Sequence, residues 1–214
     1  MPDSPEDSDN DLLERALAGD ESALAMLFDG YRDRLRRMIR LRLDRRLSGR
    51  IDSSDVLQEA YLDVRKRLTE YARDPASMKF HLWLRLVTGQ KLIDVHRFHL
   101  GTQMRDAGQE VSLHRGPFPH ADSVSLAAQL LGRMTSASKA AIRAEHKLIV
   151  QETLNSMDPI DREVLALRHF EHLSNDETAQ VLGLTKSAAS NRYIRALKRL
   201  KEILSSIPGL KEQL

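Results

Sequence analysis

Apolar residues recur along most of this chain at spacings of three and four, the period of a helix buried on one face, and alternation by two persists nowhere in its first hundred residues. Asp9 to Ala18 reads as a short helix with Gly19 as its stop. Asp20 then caps a long helix whose inward stripe is Leu24, Leu27, Phe28, Tyr31, Leu35 and Met38. A third helix starts near Asp52 and turns Val56, Leu57, Ala60, Tyr61, Val64 and Leu68 inward; a fourth covers about Ser77 to Phe98, anchored by Phe80, Trp83 and Val87. From Gly101 the period fails among glycines, prolines and serines, and although Leu126 to Met134 has the makings of a short helix, the stretch reads as a mostly flexible linker. Helical spacing resumes near Ala144, with helices over Ala144 to Asn155 and Ile160 to Phe170, the second introduced by Asp158 as cap and Pro159 at the first helical position. The pattern therefore predicts an all-α protein of two small helical domains. An acidic tail (1–8) precedes an N-terminal helical bundle (9–100); a flexible linker (101–143), a C-terminal helical domain (144–207) and a tail (208–214) follow.

The C-terminal pattern is the more specific. Ser174 and Glu177 stand three apart as a capping box, so each can satisfy a free backbone donor at a helix start. That helix meets Gly183, Leu184 fills the corner, and Thr185 caps the next helix, which together spell a helix-turn-helix. The last helix turns Ala189, Tyr193, Ala196, Leu197, Leu200 and Leu204 to one apolar arc, while Lys186, Ser187, Ala188, Ser190, Asn191, Arg192, Arg195 and Lys198 lie towards the outside. Between Lys186 and Lys201 stand six basic residues and no acid. Such a face suits the DNA major groove, where Asn and Arg pair bidentately with purine edges.

Composition narrows the function. The 214 residues carry a net charge of +2 and are 30% charged, so nucleic-acid affinity has to come from local patches. There is no cysteine, which excludes disulfides and thiolate metal sites. The N-terminus has six acids before its first base, Arg15, and no run approaches the ~20 apolar residues of a membrane span, so a cytoplasmic protein without membrane insertion is expected. His96 with His99 and His169 with His172 are isolated pairs lacking further ligands; no catalytic residue, metal or cofactor is expected, and the protein does not read as an enzyme.

The segment MDPIDREVLALRHFEHLSNDETAQVLGLTKSAASNRYIRALKRL resembles region four of bacterial sigma factors, and IDSSDVLQEAYLDV with KFHLWLRLVTGQKLIDVHR resembles their region two. Two such regions joined only by a linker are similar to the extracytoplasmic-function (ECF) type. The resemblance implies a protein that binds core RNA polymerase and directs promoter recognition, melting and transcription initiation. It implies that the last helix reads the minus-thirty-five element, and that Lys91, Asp94, His96 and Arg97 on the fourth helix meet the minus-ten element. It places polymerase on Asp52, Asp55, Gln58, Glu59 and Leu62, a mainly polar stripe beside the apolar one. Promoter DNA and core polymerase are the expected partners. An anti-sigma factor or a regulatory kinase acting on Ser53 or Ser54 would be a further one. Read from the residues alone, a stand-alone helix-turn-helix repressor or activator remains the alternative.

Overall fold

The computed structural model describes residues 5–47, 49–100, 120–134 and 140–206. Among them every regular element is helical: α1 (Pro5–Leu17), α2 (Glu21–Arg42), α3 (Ser53–Tyr71), α4 (Phe80–Leu100), α5 (Ser123–Met134), α6 (Ala140–Ser156), α7 (Pro159–Leu165), α8 (Asn175–Leu182) and α9 (Lys186–Ser206). These residues divide into two compact units, α1 to α4 making the first and α5 to α9 the second, which also takes in residues 40–42.

Local chemistry explains where the helices of the first unit begin. Asp20 Oδ1 accepts from the Ser22 and Ala23 backbone N–H groups at 2.9 and 3.1 Å, which starts α2 where the sequence predicts. α1 starts at Pro5, earlier than expected, so part of the acidic tail is helical. Proline at a first helical position and acids in a first turn both favour this, because neither opposes the unpaired donors at a helix N-terminus. The core joins Leu24, Leu27 and Met38 of α2 to Val56, Leu57 and Val64 of α3 and to Trp83, Leu84, Val87 and Leu92 of α4. Aromatic rings close one side, with Tyr71 lying 5.3 Å from Phe80 and 5.0 Å from Trp83 between ring centres. Trp83 is thus a core residue.

The second unit corrects one expectation. Ser123–Met134 lies inside the stretch predicted to be linker, yet it is helical and supplies Leu126, Ala127, Leu130 and Leu131 to a core shared with Val150, Leu154, Leu165, Phe170 and Leu200. A helix of only three turns between Gly- and Ser-rich flanks carries too little pattern to announce a core. What holds it is tertiary: Ala121 N–H donates to Glu163 Oε2 of α7 at 2.9 Å, and Ser123 Oγ bonds Asn155 Oδ1 of α6 at 2.6 Å. The rest of the expected linker, 101–119 and 135–139, and the tail 208–214 lie outside the described residues. α7 also ends differently from expectation. It widens into a π-helical turn over Ala166–Phe170, where the Glu171 N–H donates to Ala166 O at 3.0 Å, and His172 follows at φ +57°.

Candidate nucleic-acid interface

The helix-turn-helix forms as its residues dictate. Ser174 Oγ accepts from Glu177 N–H at 3.2 Å and Glu177 Oε2 accepts from Ser174 N–H at 2.9 Å, a reciprocal capping box. Gly183 takes φ +63°, the left-handed conformation that ends α8 without the penalty a Cβ would bring. The turn is braced from outside as well: Asn175 Nδ2 donates to Lys186 O at 2.9 Å, and Lys186 Nζ meets Asp176 Oδ2 at 2.5 Å. Thr185 Oγ1 accepts from Ala188 N–H at 3.1 Å, starting α9.

α9 buries Ala189, Ala196 and Leu200 and stacks Tyr193 against the Arg168 guanidinium, 4.9 Å above the ring. Of the residues expected to face DNA, Lys186, Ser187, Asn191, Arg195 and Lys198 are exposed, and Ala188, Ser190 and Arg192 are half-buried. Besides Lys186, which pairs with Asp176, two of them are engaged. Arg192 Nη1 donates to Asp161 Oδ1 at 2.7 Å and approaches Asp158 at 3.3 Å; Arg195 binds the same Asp161 carboxylate through Nε and, at 2.7 Å, through Nη2. These hydrogen bonds, Arg195's first, hold the Asp161 carboxyl below the usual carboxylate range against the opposing effect of burial. Ile194, 60% exposed between Asn191 and Lys198, is a member of this face that polarity alone did not single out.

In the first unit, the polymerase-binding candidates fall into two groups. Asp52 and Asp55 form a capping box at the start of α3: Asp52 Oδ1 accepts from Ser54 and Asp55 N–H at 2.6 and 3.1 Å, and Asp55 Oδ2 accepts from Asp52 N–H at 2.8 Å. Both acids hold the helix start and are not spare charges. Gln58, Glu59 and Leu62 are exposed on successive turns, Leu62 at 52%. Ser53 is buried, which removes it as a target for a kinase, and Ser54 is half-buried.

The minus-ten candidates are split more sharply. Lys91 Nζ bonds Asp63 Oδ2 of α3 at 2.8 Å with Glu59 at 3.8 Å, bracing α3 to α4. His96 is buried, and its Nε2 accepts the Asp44 N–H at 3.1 Å, which requires a neutral ring; burial lowers its pKa below the ordinary value. Lys91 and His96 are therefore occupied inside the bundle. Asp94 and Arg97 do stay exposed, 3.9 Å apart, and beside them stands Phe98 at 83% exposure, a residue the apolar pattern had consigned to the helix end.

Comparison with known proteins places this geometry. Residues 147–200 match the family described as Sigma-70, region 4. The chain is 29% identical over 204 residues to the ECF RNA polymerase sigma factor BldN of Streptomyces coelicolor, covering 91% of this chain and 65% of that protein. It is 28% identical over 191 residues to the ECF RNA polymerase sigma factor SigD of Mycobacterium tuberculosis, covering 89% of this chain and 81% of that one. To the RNA polymerase sigma-H factor of Pseudomonas aeruginosa it is 25% identical, over 94% and 96% of the two chains. The structure of CnrH in complex with the cytosolic domain of CnrY shares the fold, with a TM-score of 0.56 and 23% identity over 93% of this chain and 98% of that one. A helix-turn-helix matched to region 4 follows a four-helix unit, and the relatives align along nearly the whole chain, so that in sequence and arrangement this protein is similar to the ECF-type RNA polymerase sigma factors.

Proposed function

We propose that this chain binds core RNA polymerase and carries it to promoters, where it directs recognition and the start of transcription. The observation that carries the reading is the presence of two unlike surfaces on one chain. α9 offers a cationic, hydrogen-bonding face behind a glycine turn, suited to duplex DNA, and α3 offers Gln58, Glu59 and Leu62, suited to a protein. Promoter DNA is read upstream by Ser187, Asn191, Ile194, Arg195 and Lys198, and near the start site by the exposed end of α4, Asp94, Arg97 and Phe98. An exposed aromatic ring next to a cation suits an unstacked base, because every base presents a π-face. The work takes place where polymerase is, in the cytoplasm; none of the described helices is long and apolar enough to cross a membrane. An anti-sigma protein or a modifying enzyme would act by covering or altering these same faces.

The experiment is copurification with core polymerase followed by transcription from a promoter template. Asp55 is a poor place to probe it, because a change there also unmakes the α3 cap. Glu59→Arg with Leu62→Ala should leave the fold intact and cut affinity for core polymerase by more than tenfold, a loss of more than about 1.4 kcal/mol. A stand-alone repressor would show the opposite, binding its operator tightly without polymerase and indifferent to both changes. A well-folded double variant that initiates normally would overturn the placement of the polymerase surface.

A further inference from the structure

Asp161 has no place in the sequence pattern of DNA contacts, yet it is the centre of charge beneath the recognition helix. Its side chain is 6% exposed and it sits in the first turn of α7, a helix whose Leu165 shares a core with Ala196 and Leu200 of α9. Three N–H groups from two arginines converge on it. Arg192, 25% exposed and shared with Asp158, is part of the packing. Arg195 is different: it is held by Asp161 and is nevertheless 61% exposed.

The mode of holding matters. Nε and Nη2 form one edge of the planar guanidinium, and both face the carboxylate. The remaining nitrogen, Nη1, has no partner among the described residues, so Nη1 and the outer hydrogen of Nη2 are left as a parallel pair of donors. That pair is the fork that fits the O6 and N7 acceptors of guanine in the major groove. An unrestrained arginine surrenders much rotamer freedom when it makes such a contact, whereas one already clamped does not. The carboxylate also has a cost, since a negative charge near phosphates weakens attraction to any duplex. A group that lowers general affinity while fixing the aim of one base-reading side chain favours selectivity over strength.

We propose that Asp161 is a positioning residue for promoter recognition: it clamps the Nε–Nη2 edge of Arg195 so that the adjoining Nη1–Nη2 edge is presented to a guanine in the upstream element. This deepens the promoter reading above and rests on it. Asp161 touches no DNA itself and acts through Arg195.

The test uses holoenzyme assembled from the full chain and core polymerase, with two probes: a promoter duplex recovered by selection from DNA randomised in its upstream element, and a random-sequence duplex of equal length. The quantity read is the ratio of the two affinities. In Asp161→Asn the ratio should fall on the order of tenfold, as loss of one bidentate base contact implies, while binding to the random duplex holds or tightens because a negative charge is gone. Arg195→Lys keeps the charge but cannot make the fork, and should lose a similar factor. The double variant should lose no more than either single one. Asp161→Glu, which keeps the charge and displaces the carboxylate by one methylene, should also lose selectivity with random-duplex binding unchanged, and it serves if Asp161→Asn melts early. A ratio that stays within twofold of the parent in folded Asp161 variants would overturn the proposal, as would independent, multiplying losses in the double variant, which mark a merely structural ion pair. A parent holoenzyme that selects no sequence would overturn the promoter reading itself.

Discussion

α4 and α9 are both helices of 21 residues, and both carry basic side chains along their length. α9 rests on the second unit by a single arc, so the rest of its circumference stays open: Asn191, Ile194, Arg195 and Lys198 lie there within two turns. α4 is enclosed nearly all round, from Phe80 through Trp83, Leu84, Val87 and Leu92 to Val95. A helix packed on all sides draws its polar residues into structural service. Lys91 becomes a tie to Asp63, Gln90 accepts from Arg67 Nη1 at 2.5 Å, and His96 receives a backbone N–H. Only its last turn, with Asp94, Arg97, Phe98 and His99, regains the surface. The same residue types therefore stand for binding on one helix and for bundle stability on the other, and what separates them is how much of the helix is surrounded.

The comparison breaks most visibly through hydrophobic deletion. Leu92→Ala, at a site with no exposure, should lower stability by about 2–5 kcal/mol, the transfer loss plus the cavity left behind. Ile194→Ala on the open face of α9 should stay within about 0.5 kcal/mol. Denaturant melts of both variants settle the contrast; equal losses would mean that α9 is as enclosed as α4.

The lysines give a smaller and sharper contrast. Lys91→Ala removes the partner of Asp63 at a largely covered site and should cost up to about 1 kcal/mol of stability, with no change in the salt dependence of promoter binding. Lys198→Ala should leave melting unchanged and reduce that salt slope by about one. Thermal melts and a salt titration of holoenzyme binding separate the two, and a lowered slope in Lys91→Ala would return that residue to the DNA surface.

The smallest effect is one of pH. The buried His96 ring is neutral in the fold and its pKa is depressed below the 6.5 it would have when exposed in the unfolded chain. The unfolded state therefore takes up the proton first. The contribution of His96 to stability is whole above about pH 6.5 and is lost as the pH falls through that value towards the folded pKa. Asp44 beside it limits the depression and Arg46 adds to it. Melting temperature should slope downward on acidifying from pH 7, and His96→Asn should flatten that slope whatever it does to stability at neutral pH. An unchanged slope would show His96 to be solvated after all.

What the sequence by itself determined is the part of this protein governed by local chemistry and period. The caps at Asp20, Asp52, Asp158 and Ser174, the glycine turn at Gly183 and the amphipathic arc of α9 each depend on residues within a few positions of one another, and each is found where the sequence has it. The all-α class and the helix-turn-helix follow from them, and so does the likeness to region 4 of sigma factors. Tertiary structure alone decided the rest. Whether Lys91 and His96 meet DNA depended on Asp63, 28 positions earlier, and on Asp44, 52 earlier. That Ser123–Met134 joins a core depended on Glu163 and Asn155 receiving its first turn. The restraint on Arg195 comes from Asp161 on another helix. A charge is visible in a sequence, but its availability is set by which opposite charge or backbone group the fold brings within about 3 Å, and no periodicity records that distance.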